Sequence, residues 1–290
     1  MNPAVQTPLQ AFEAERRRLQ RLAYRMLGSV AEAEDVVQDA WLRWDRAGAA
    51  ATNPQAWLMQ TVTRLCLDRL KSARARRETY VGPWLPEPLV EEIADDPAER
   101  AEDVSVAFLL ALERLSPLER AVFLLHDVFD QDYGEVARQL DRGEAAVRQL
   151  ASRARAHVRE GRPRFAVSPE ASMKLAAAFL DAAARNDPEA LSDLLAEDAI
   201  LISDGGGKRP AALRPMVGRD DVMLLLRGIA ARKGFDNPSA MRPVLINGAP
   251  GVVMEVFDGV QTMAFEPGED GLIAAIYIMR NPDKLGHVKA

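Results

Sequence analysis

Cysteine is almost absent from this chain: 290 residues hold one, Cys66, between Leu65 and Leu67. An internal disulfide is excluded, and no thiolate metal cluster can form around a single thiol. A buried thiol acting as a small hydrophobe is the expected role. Aromatic residues are also sparse, at 6%. No apolar run is long enough to span a bilayer. The first residues, MNPAVQTPLQAFEAERRR, lack the apolar core of a secretion signal. A cytoplasmic protein without membrane contact is expected. Net positive charge is lacking too, since the formal charge is −6. An acidic protein is not the default nucleic-acid binder. The charge is segregated, however. Arg64, Arg69, Lys71, Arg74, Arg76 and Arg77 crowd one stretch. Glu87, Glu91, Glu92, Asp95, Asp96, Glu99, Glu102 and Asp103 crowd the next. Local potential steers nucleic acid, so the net figure excludes little.

What is present is most informative between Tyr133 and Glu160, YGEVARQLDRGEAAVRQLASRARAHVRE. Val136, Ala137 and Leu140 give a short helix one apolar face, and Asp141-Arg142-Gly143 break it. From Glu144 onward, Val147, Leu150, Ala151, Ala154 and Val158 fall on one stripe at helical spacing. Arg148, Ser152, Arg155 and Arg159 lie opposite, with Gln149 and Arg153 on the shoulder. The pattern predicts a helix-turn-helix whose second helix presents guanidinium groups. Arginine can bridge guanine O6 and N7 or a phosphate, and glutamine can bridge adenine N6 and N7. A solvated Arg-rich helix in an ordinary bundle is the competing reading.

Punctuation divides the chain. A helical segment runs to about Arg77, and VGPWLPEPLVEEIADDPAE follows, a linker by its proline and acid content. A second helical segment ends near Glu160, and Ser168-Pro169 starts a new helix. Helices are expected over Met173–Ala184, Pro188–Leu195 and Asp220–Lys233. Short apolar runs with frequent glycines come after: AILISDGGGK, MRPVLING, GVVMEVF, VQTMAFEPGEDG and LIAAIYIM, read as strands.

In the first segment, Ser29 and Glu32 form a capping box. Ala33, Val36, Val37, Ala40, Trp41 and Trp44 make a stripe to bury, and Asp35, Gln38, Asp39 and Leu42 form the other face. That face suits a basic partner helix, although spacing alone favours solvated surface. The next helix, Pro54–Arg77, carries Thr61, Thr63, Arg64, Arg69 and Lys71 and ends in KSARARR. The loop Ala47–Gln55, AGAAATNPQ, precedes it. A basic helix beside a loop suits single-stranded DNA, with cations following phosphates and a base held in a pocket.

AYRMLGSVAEAEDVVQDAWLRW, NPQAWLMQTVTRLCLDRLKSARARR and LERLSPLERAVFLLHDVFDQDYGEVARQLDRGEAAVRQLASRARAHV resemble, in order and spacing, regions 2 and 4 of extracytoplasmic function (ECF) sigma factors. The resemblance covers about the first 160 residues. It implies two all-α domains that bind core RNA polymerase, through its β′ and β subunits, and read two promoter elements. By it, Asp35, Gln38, Asp39 and Leu42 grip the polymerase β′ coiled coil. Asn53, Thr61, Thr63, Arg64, Arg69 and Lys71 serve the −10 element. Arg148, Gln149, Ser152, Arg153 and Arg155 serve the −35 element. Ser116-Pro117-Leu118-Glu119 matches the helix start before the helix-turn-helix, and its chemistry is locally complete: Ser caps, Pro fits N1 and Glu sits at N3. Gly143 departs from the Ser or Thr that many relatives place as the cap.

The remaining residues resemble the SnoaL-like (nuclear-transport-factor-2-like) domain fused to one group of these factors. That group is marked by WLPEP, DGGGK and NPDKL motifs, here Trp84-Leu85-Pro86-Glu87-Pro88, Asp204-Gly205-Gly206-Gly207-Lys208 and Asn281-Pro282-Asp283-Lys284-Leu285. The expected organisation is region 2 over 1–80, an acidic proline-rich linker over 81–105, region 4 over 106–162 and an α+β cone with a curved antiparallel sheet over 168–290. The resemblance makes this cone an in-built regulator that replaces a separate anti-sigma protein, with Trp84, Leu85, Pro86, Asp204, Lys208, Asn281, Asp283 and Lys284 at its interface. From the residues alone, Asp204 and Lys208 pair with each other or with a neighbouring domain, and Gly205–Gly207 read best as a plain turn. Trp84 in a polar linker should pack into a groove, with Pro86 and Pro88 keeping the linker extended.

Asp204, Asp220, Glu255 and Glu266 are candidate acids or bases by residue type only, and no base–orienter pair is visible. Neither catalysis nor a cofactor is expected. A small-molecule pocket in the cone stays open, and an interior filled by its own side chains is favoured over it. The alternative function is a ligand-responsive helix-turn-helix transcription regulator with the cone as effector domain.

Overall fold

The computed structural model describes residues 7–47, 52–93, 105–161, 168–231 and 238–289. The chain divides into two compact units, Met1–Glu78 with Phe108–Arg162, and Thr79–Ala107 with Pro163–Ala290. The acids Asp95, Asp96, Glu99, Glu102 and Asp103 lie outside the described residues, as do residues 48–51 and the side chains of Arg74, Arg76 and Arg77.

The first unit is helical because its apolar residues recur at helical spacing and its helix ends are capped. Helix α1 (Pro8–Leu27) starts at a reciprocal Thr7–Gln10 capping box and stops at Gly28, whose φ of 66° suits glycine. Helix α2 (Val30–Ala47) follows, with Ser29 Oγ accepting the Glu32 N–H at 3.1 Å. Asn53 caps α3 (Pro54–Glu78) by accepting from Ala56 at 3.0 Å. Leu19, Leu22, Met26, Val36, Ala40, Leu58, Met59 and Val62 are fully buried among these helices. Cys66 joins them, and burial pushes its thiol pKa far above the ordinary value. Of the expected α2 stripe only Trp41 is half-buried, its ring 5.0 Å from that of Phe12.

Helix α4 (Val106–Glu113) leads to α5 (Pro117–Phe123), which carries the reciprocal Ser116–Glu119 capping box and runs on through one π turn, Leu124–Val128. Asp132 caps α6 (Tyr133–Leu140), and Asp141 ends it in the left-handed region at φ 53°. Helix α7 (Glu144–Gly161) buries Val147, Ala151, Ala154 and Val158 as the periodicity predicts, with Leu150 half-buried. The two helical groups meet within this unit. Arg120 on α5, 3% exposed, donates to the Met26 carbonyl at the end of α1 (2.6 Å) and pairs with Glu113 (2.7 Å). Gln60 on α3 donates to the Gln139 carbonyl on α6 at 3.2 Å.

Gly143 precedes α7 in open space: a β-carbon there would meet no heavy atom within 4 Å, and its φ is not positive. Gly143→Ser is therefore expected to stabilise the protein by a few tenths of a kcal/mol through a new side-chain cap. Thermal unfolding reads this directly, and a lowered Tm would contradict it.

The second unit packs α8 (Pro169–Ala184), α9 (Pro188–Asp193) and α10 (Arg219–Ala230) with a sheet. Its strands are β1 (Val90–Glu91), β2 (Leu195–Asp204), β3 (Met216–Val217), β4 (Ala240–Ile246), β5 (Ala249–Val256), β6 (Gly259–Pro267) and β7 (Ile273–Met279), in the order β1-β4-β5-β6-β7-β2-β3. The expected antiparallel sheet is in fact mixed: β2 and β7 run parallel. These strands are remote in sequence, so no hairpin forces them to be antiparallel. Asn247 and Gly248, with φ of 53° and 76°, make the tight β4–β5 turn.

Strand alternation gives the sheet two working faces. Leu201, Phe265, Ile276 and Ile278 join Phe179, Leu195 and Val222 in the core under the helices. Thr262, Ala264, Tyr277 and Met279 point the other way and meet Leu85, Pro86 and Pro88. The stretch read as a linker thus lies on the sheet. It also adds β1 to it, with Val90 opposite Ile246.

Candidate functional site

In the helical unit the predicted residues lie on or beside α7, α2 and α3. On α7, Arg148, Gln149, Ser152 and Arg153 are exposed and Arg155 is half-buried. Each of the three arginines is held by a carboxylate of its own chain. Arg148 donates to Glu144 at 2.5 Å and lies 4.5 Å from the Tyr133 ring centroid. Arg153 pairs with Glu119 at 3.0 Å. Arg155 donates to Asp127 at 2.6 Å and to the Tyr133 hydroxyl at 3.0 Å. Burial opposes ionisation of Glu119, but bonds from Ser116 and the nearby Arg153 outweigh it, so its pKa lies below the usual value. Tyr133, stacked on His126 at 3.8 Å, organises this group and was not singled out from sequence. A lone tyrosine at a helix start carries no signal until α7 is folded over it.

On α2, Asp35, Gln38 and Leu42 are exposed and Asp39 is partly so. On α3, Arg64 and Lys71 are exposed, Thr61 is half-buried and Asn53 is the exposed cap. Two α3 residues depart from the expected DNA-facing set. Thr63 is 1% exposed, and its hydroxyl donates to the Met59 carbonyl at 2.8 Å, so it belongs to the core. Arg69 turns toward α2, lying 3.4 Å from Asp35 and 3.5 Å from Asp39. Helical periodicity places a residue on a face, but it does not say which neighbour a long cation will reach.

In the second unit the linker motif, the glycine turn and the C-terminal motif converge on one carboxylate. Asp204 is fully buried. Its Oδ1 accepts from the Tyr80 hydroxyl (2.5 Å) and Gly206 N (3.0 Å). Its Oδ2 accepts from Leu85 N (2.8 Å) and Lys284 Nζ (2.7 Å). Lys284 also donates to the Leu85 carbonyl at 2.6 Å and lies over the rings of Trp84 and Tyr80, at 4.4 and 4.8 Å. Burial, then the bond to Asp204, raises the Tyr80 pKa well above its ordinary value, so this hydroxyl stays a donor. Asn281 donates to Tyr80 at 2.8 Å. Asp204 and Lys208 do not pair with each other. Lys208 instead reaches Asp283, at 2.6 and 2.5 Å, because the turn after Asp204 carries it outward. That turn is more than a plain connection. Gly206 and Gly207 have φ of 59° and 72°, and a β-carbon on Gly206 would stand 2.2 Å from the Asn281 amide.

Trp84 is half-buried, as the cost of an exposed indole requires, and Leu85 and Pro86 are buried. Tyr80 was missed from sequence; its one signal is an aromatic beside a proline-rich stretch. The cleft beside Leu85 has room for about one water molecule. The core under the helices is filled by Phe179 and Phe265, whose rings are 5.1 Å apart, with Leu195 and Ile273. Among the described residues no helix is long and apolar enough to cross a membrane.

A helix-turn-helix with an exposed Arg and Gln face, following a capped three-helix group, is the architecture of a DNA-binding protein. Residues 11–76 match the family model "Sigma-70 region 2", and residues 105–158 match "Sigma-70, region 4". The chain is 41% identical to the ECF RNA polymerase sigma factor SigJ of Mycobacterium tuberculosis over 94% of this chain and 91% of that protein. It is 32% identical to the probable ECF RNA polymerase sigma factor SigI of the same species, over 97% and 95%. The crystal structure of M. tuberculosis SigJ superposes with a TM-score of 0.79 at 37% identity, covering 96% of this chain and 98% of that one. The chain therefore belongs to the ECF RNA polymerase sigma factors. As a sigma factor it binds core RNA polymerase and promoter DNA and directs transcription initiation. A ligand-responsive helix-turn-helix regulator would leave residues 11–76 without a role, and that alternative is not favoured.

Proposed function

We propose that this ECF factor is regulated from within, by the cone over residues 168–290, and needs no separate anti-sigma protein. The observation that carries the proposal is the Asp204 carboxylate, on which the linker, the glycine turn and the C-terminal motif all converge. A linker tied this firmly to the cone couples the cone to the chain on either side of it. In this reading residues 1–80 form region 2, residues 81–105 the linker and residues 106–162 region 4. Asp35, Gln38, Asp39 and Leu42 take the polymerase β′ subunit, supported by their exposure on one face of α2. Asn53, Thr61, Arg64 and Lys71 follow the −10 strand, without Thr63 and with Arg69 turned aside. The −35 element is read by Arg148, Gln149, Ser152, Arg153 and Arg155, supported by the exposure of the first four on α7 and by Arg155 half-buried beside them. The protein supplies no catalytic residue of its own, acts in the cytoplasm with polymerase and requires no cofactor.

The −35 assignment has a direct test. Arg148→Ala or Arg153→Ala should weaken −35 protection by about 1–3 kcal/mol per lost base contact, and core binding should persist. Footprinting that shows unchanged −35 protection in both variants would remove α7 from this role. For the regulatory reading, truncation after about Val167 is expected to change promoter activity. Equal transcription from the full and truncated chains, with unaltered output from Trp84→Ala, would end it.

A further inference from the structure

We infer that Glu144 and Asp127, with Glu119 beside them, are specificity-determining residues that shield the α7 arginines from non-cognate DNA. The inference rests on the reading that α7 recognises the −35 element.

Three cations on the proposed DNA face each hold an internal carboxylate: Arg148–Glu144 at 2.5 Å, Arg153–Glu119 at 3.0 Å and Arg155–Asp127 at 2.6 Å. Fold stability is a weak explanation for this arrangement. Exposed ion pairs contribute about 0–1 kcal/mol, and the Arg148 and Glu144 side chains are 59% and 50% exposed, while Arg153, at 61%, is the exposed partner of Glu119, whose carboxylate is already used by the Ser116 cap. Charge has a larger consequence for DNA. Binding to the phosphate backbone depends on the number of phosphates neutralised and releases condensed cations accordingly. A guanidinium already paired with a carboxylate presents little net charge to a phosphate. Its remaining N–H donors keep their direction. Arginine has five donors in a rigid fork, and Arg148 commits only Nε and Nη2 to Glu144. Guanine O6 and N7 are read by donor geometry, and phosphate is drawn by net charge. The carboxylates therefore penalise phosphate attraction more than base reading.

Tyr133 adds to the same end. Its ring lies under Arg148 and its hydroxyl accepts from Arg155, so both side chains are oriented before DNA arrives. Asp127 comes from the π turn, outside the helix-turn-helix itself, so the pairing with Arg155 is not a by-product of i,i+4 spacing.

The test uses holoenzyme assembled from core polymerase and the full chain. Two templates carry a promoter selected from a randomised library, one intact and one with its −35 element scrambled. Open-complex formation is followed on both at several salt concentrations. Glu144→Gln with Asp127→Asn keeps side-chain size and removes two negative charges. The double variant is expected to gain roughly tenfold on the scrambled template and to change less than about twofold on the intact one. Raised salt should restore discrimination, a response that loss of a purely structural contact would not produce. Unchanged discrimination in the double variant, while Arg148→Ala still weakens the intact template, overturns the shielding role and leaves α7 as the reader. If Arg148→Ala is also silent, the −35 assignment fails and this inference with it.

Discussion

Asp204→Ala is expected to destabilise the second unit by about 3–5 kcal/mol, the usual cost of removing one partner from a buried ion pair. The magnitude follows from what is left behind. Lys284 is 8% exposed and would lose its counter-charge while still enclosed by Tyr80 and Trp84. Leu85 N, Gly206 N and the Tyr80 hydroxyl would lose their acceptor at the same time. Lys284→Met should cost less, because the carboxylate would keep three of its four donors and the methionine stem would still fill the space. That ordering separates the ion pair from simple packing. Denaturant unfolding measures both variants, and limited proteolysis between residues 79 and 93 reports release of the linker. Equal stability of Asp204→Ala and the wild type would remove the carboxylate from its central place. Promoter output should shift in the same variants while the DNA sequence read stays the same.

Reversing the charge at both Asp35 and Asp39 is expected to weaken association with core polymerase by about a hundredfold. Close charge pairs across interfaces couple by about 1.5–7 kcal/mol each, so losing two at the lower bound removes about 3 kcal/mol, on the order of a hundredfold. The fold should survive, because Ala33, Val36, Val37, Ala40 and Trp44, the buried side of α2, are untouched. The geometry refines the experiment. Arg69 sits between the two aspartates, so lysines there would face a cation from their own chain as well as from the partner. Arg69→Met in the wild-type background separates the two effects, since it frees the aspartates without reversing them. A core pull-down equal to wild type for Asp35→Lys/Asp39→Lys would show that this face is only solvated surface.

The helical unit was largely legible in the sequence, for local reasons. Val147, Ala151, Ala154 and Val158 repeat at the helical period, and the signals at Ser116 and Glu119 act within one turn. The cone was legible in its strands but not in its pairings. Nothing local tells β2 that it will lie parallel to β7, and two-residue strands such as β1 and β3 have no periodicity to read. Proline and acid at Val81–Glu92 predict an extended chain, and they do not predict that it lies on a sheet. Asp204 and Lys208 flank the glycine turn, so the sequence leaves open a pair with each other or with a neighbouring domain. Their true partners, Lys284 and Asp283, come from near the other end of the fold. Thr63 read as a polar contact because the sequence cannot show a hydroxyl satisfied by its own helix.

Strand β1 also bears on solubility. At one margin of the sheet, β4 has its outer N–H and C=O groups met by β1 at Leu245 and Ile246. At the other margin, two-residue β3 covers part of β2. Open margins of this kind are templates for another chain's backbone, and natural sheets blunt them with short strands, prolines and charges. Pro243 lies within β4, and Arg242 pairs with Glu92 just past β1. A fragment begun at Pro163 keeps every helix and long strand of the cone but loses β1 and the Tyr80–Pro88 cover. It would present β4 bare beside the apolar face of Ala264, Tyr277 and Met279, with a buried aspartate robbed of two donors. The segment that joins the helical regions thus also closes part of the β4 margin and covers the apolar face beside it, and the cone without it is expected to self-associate.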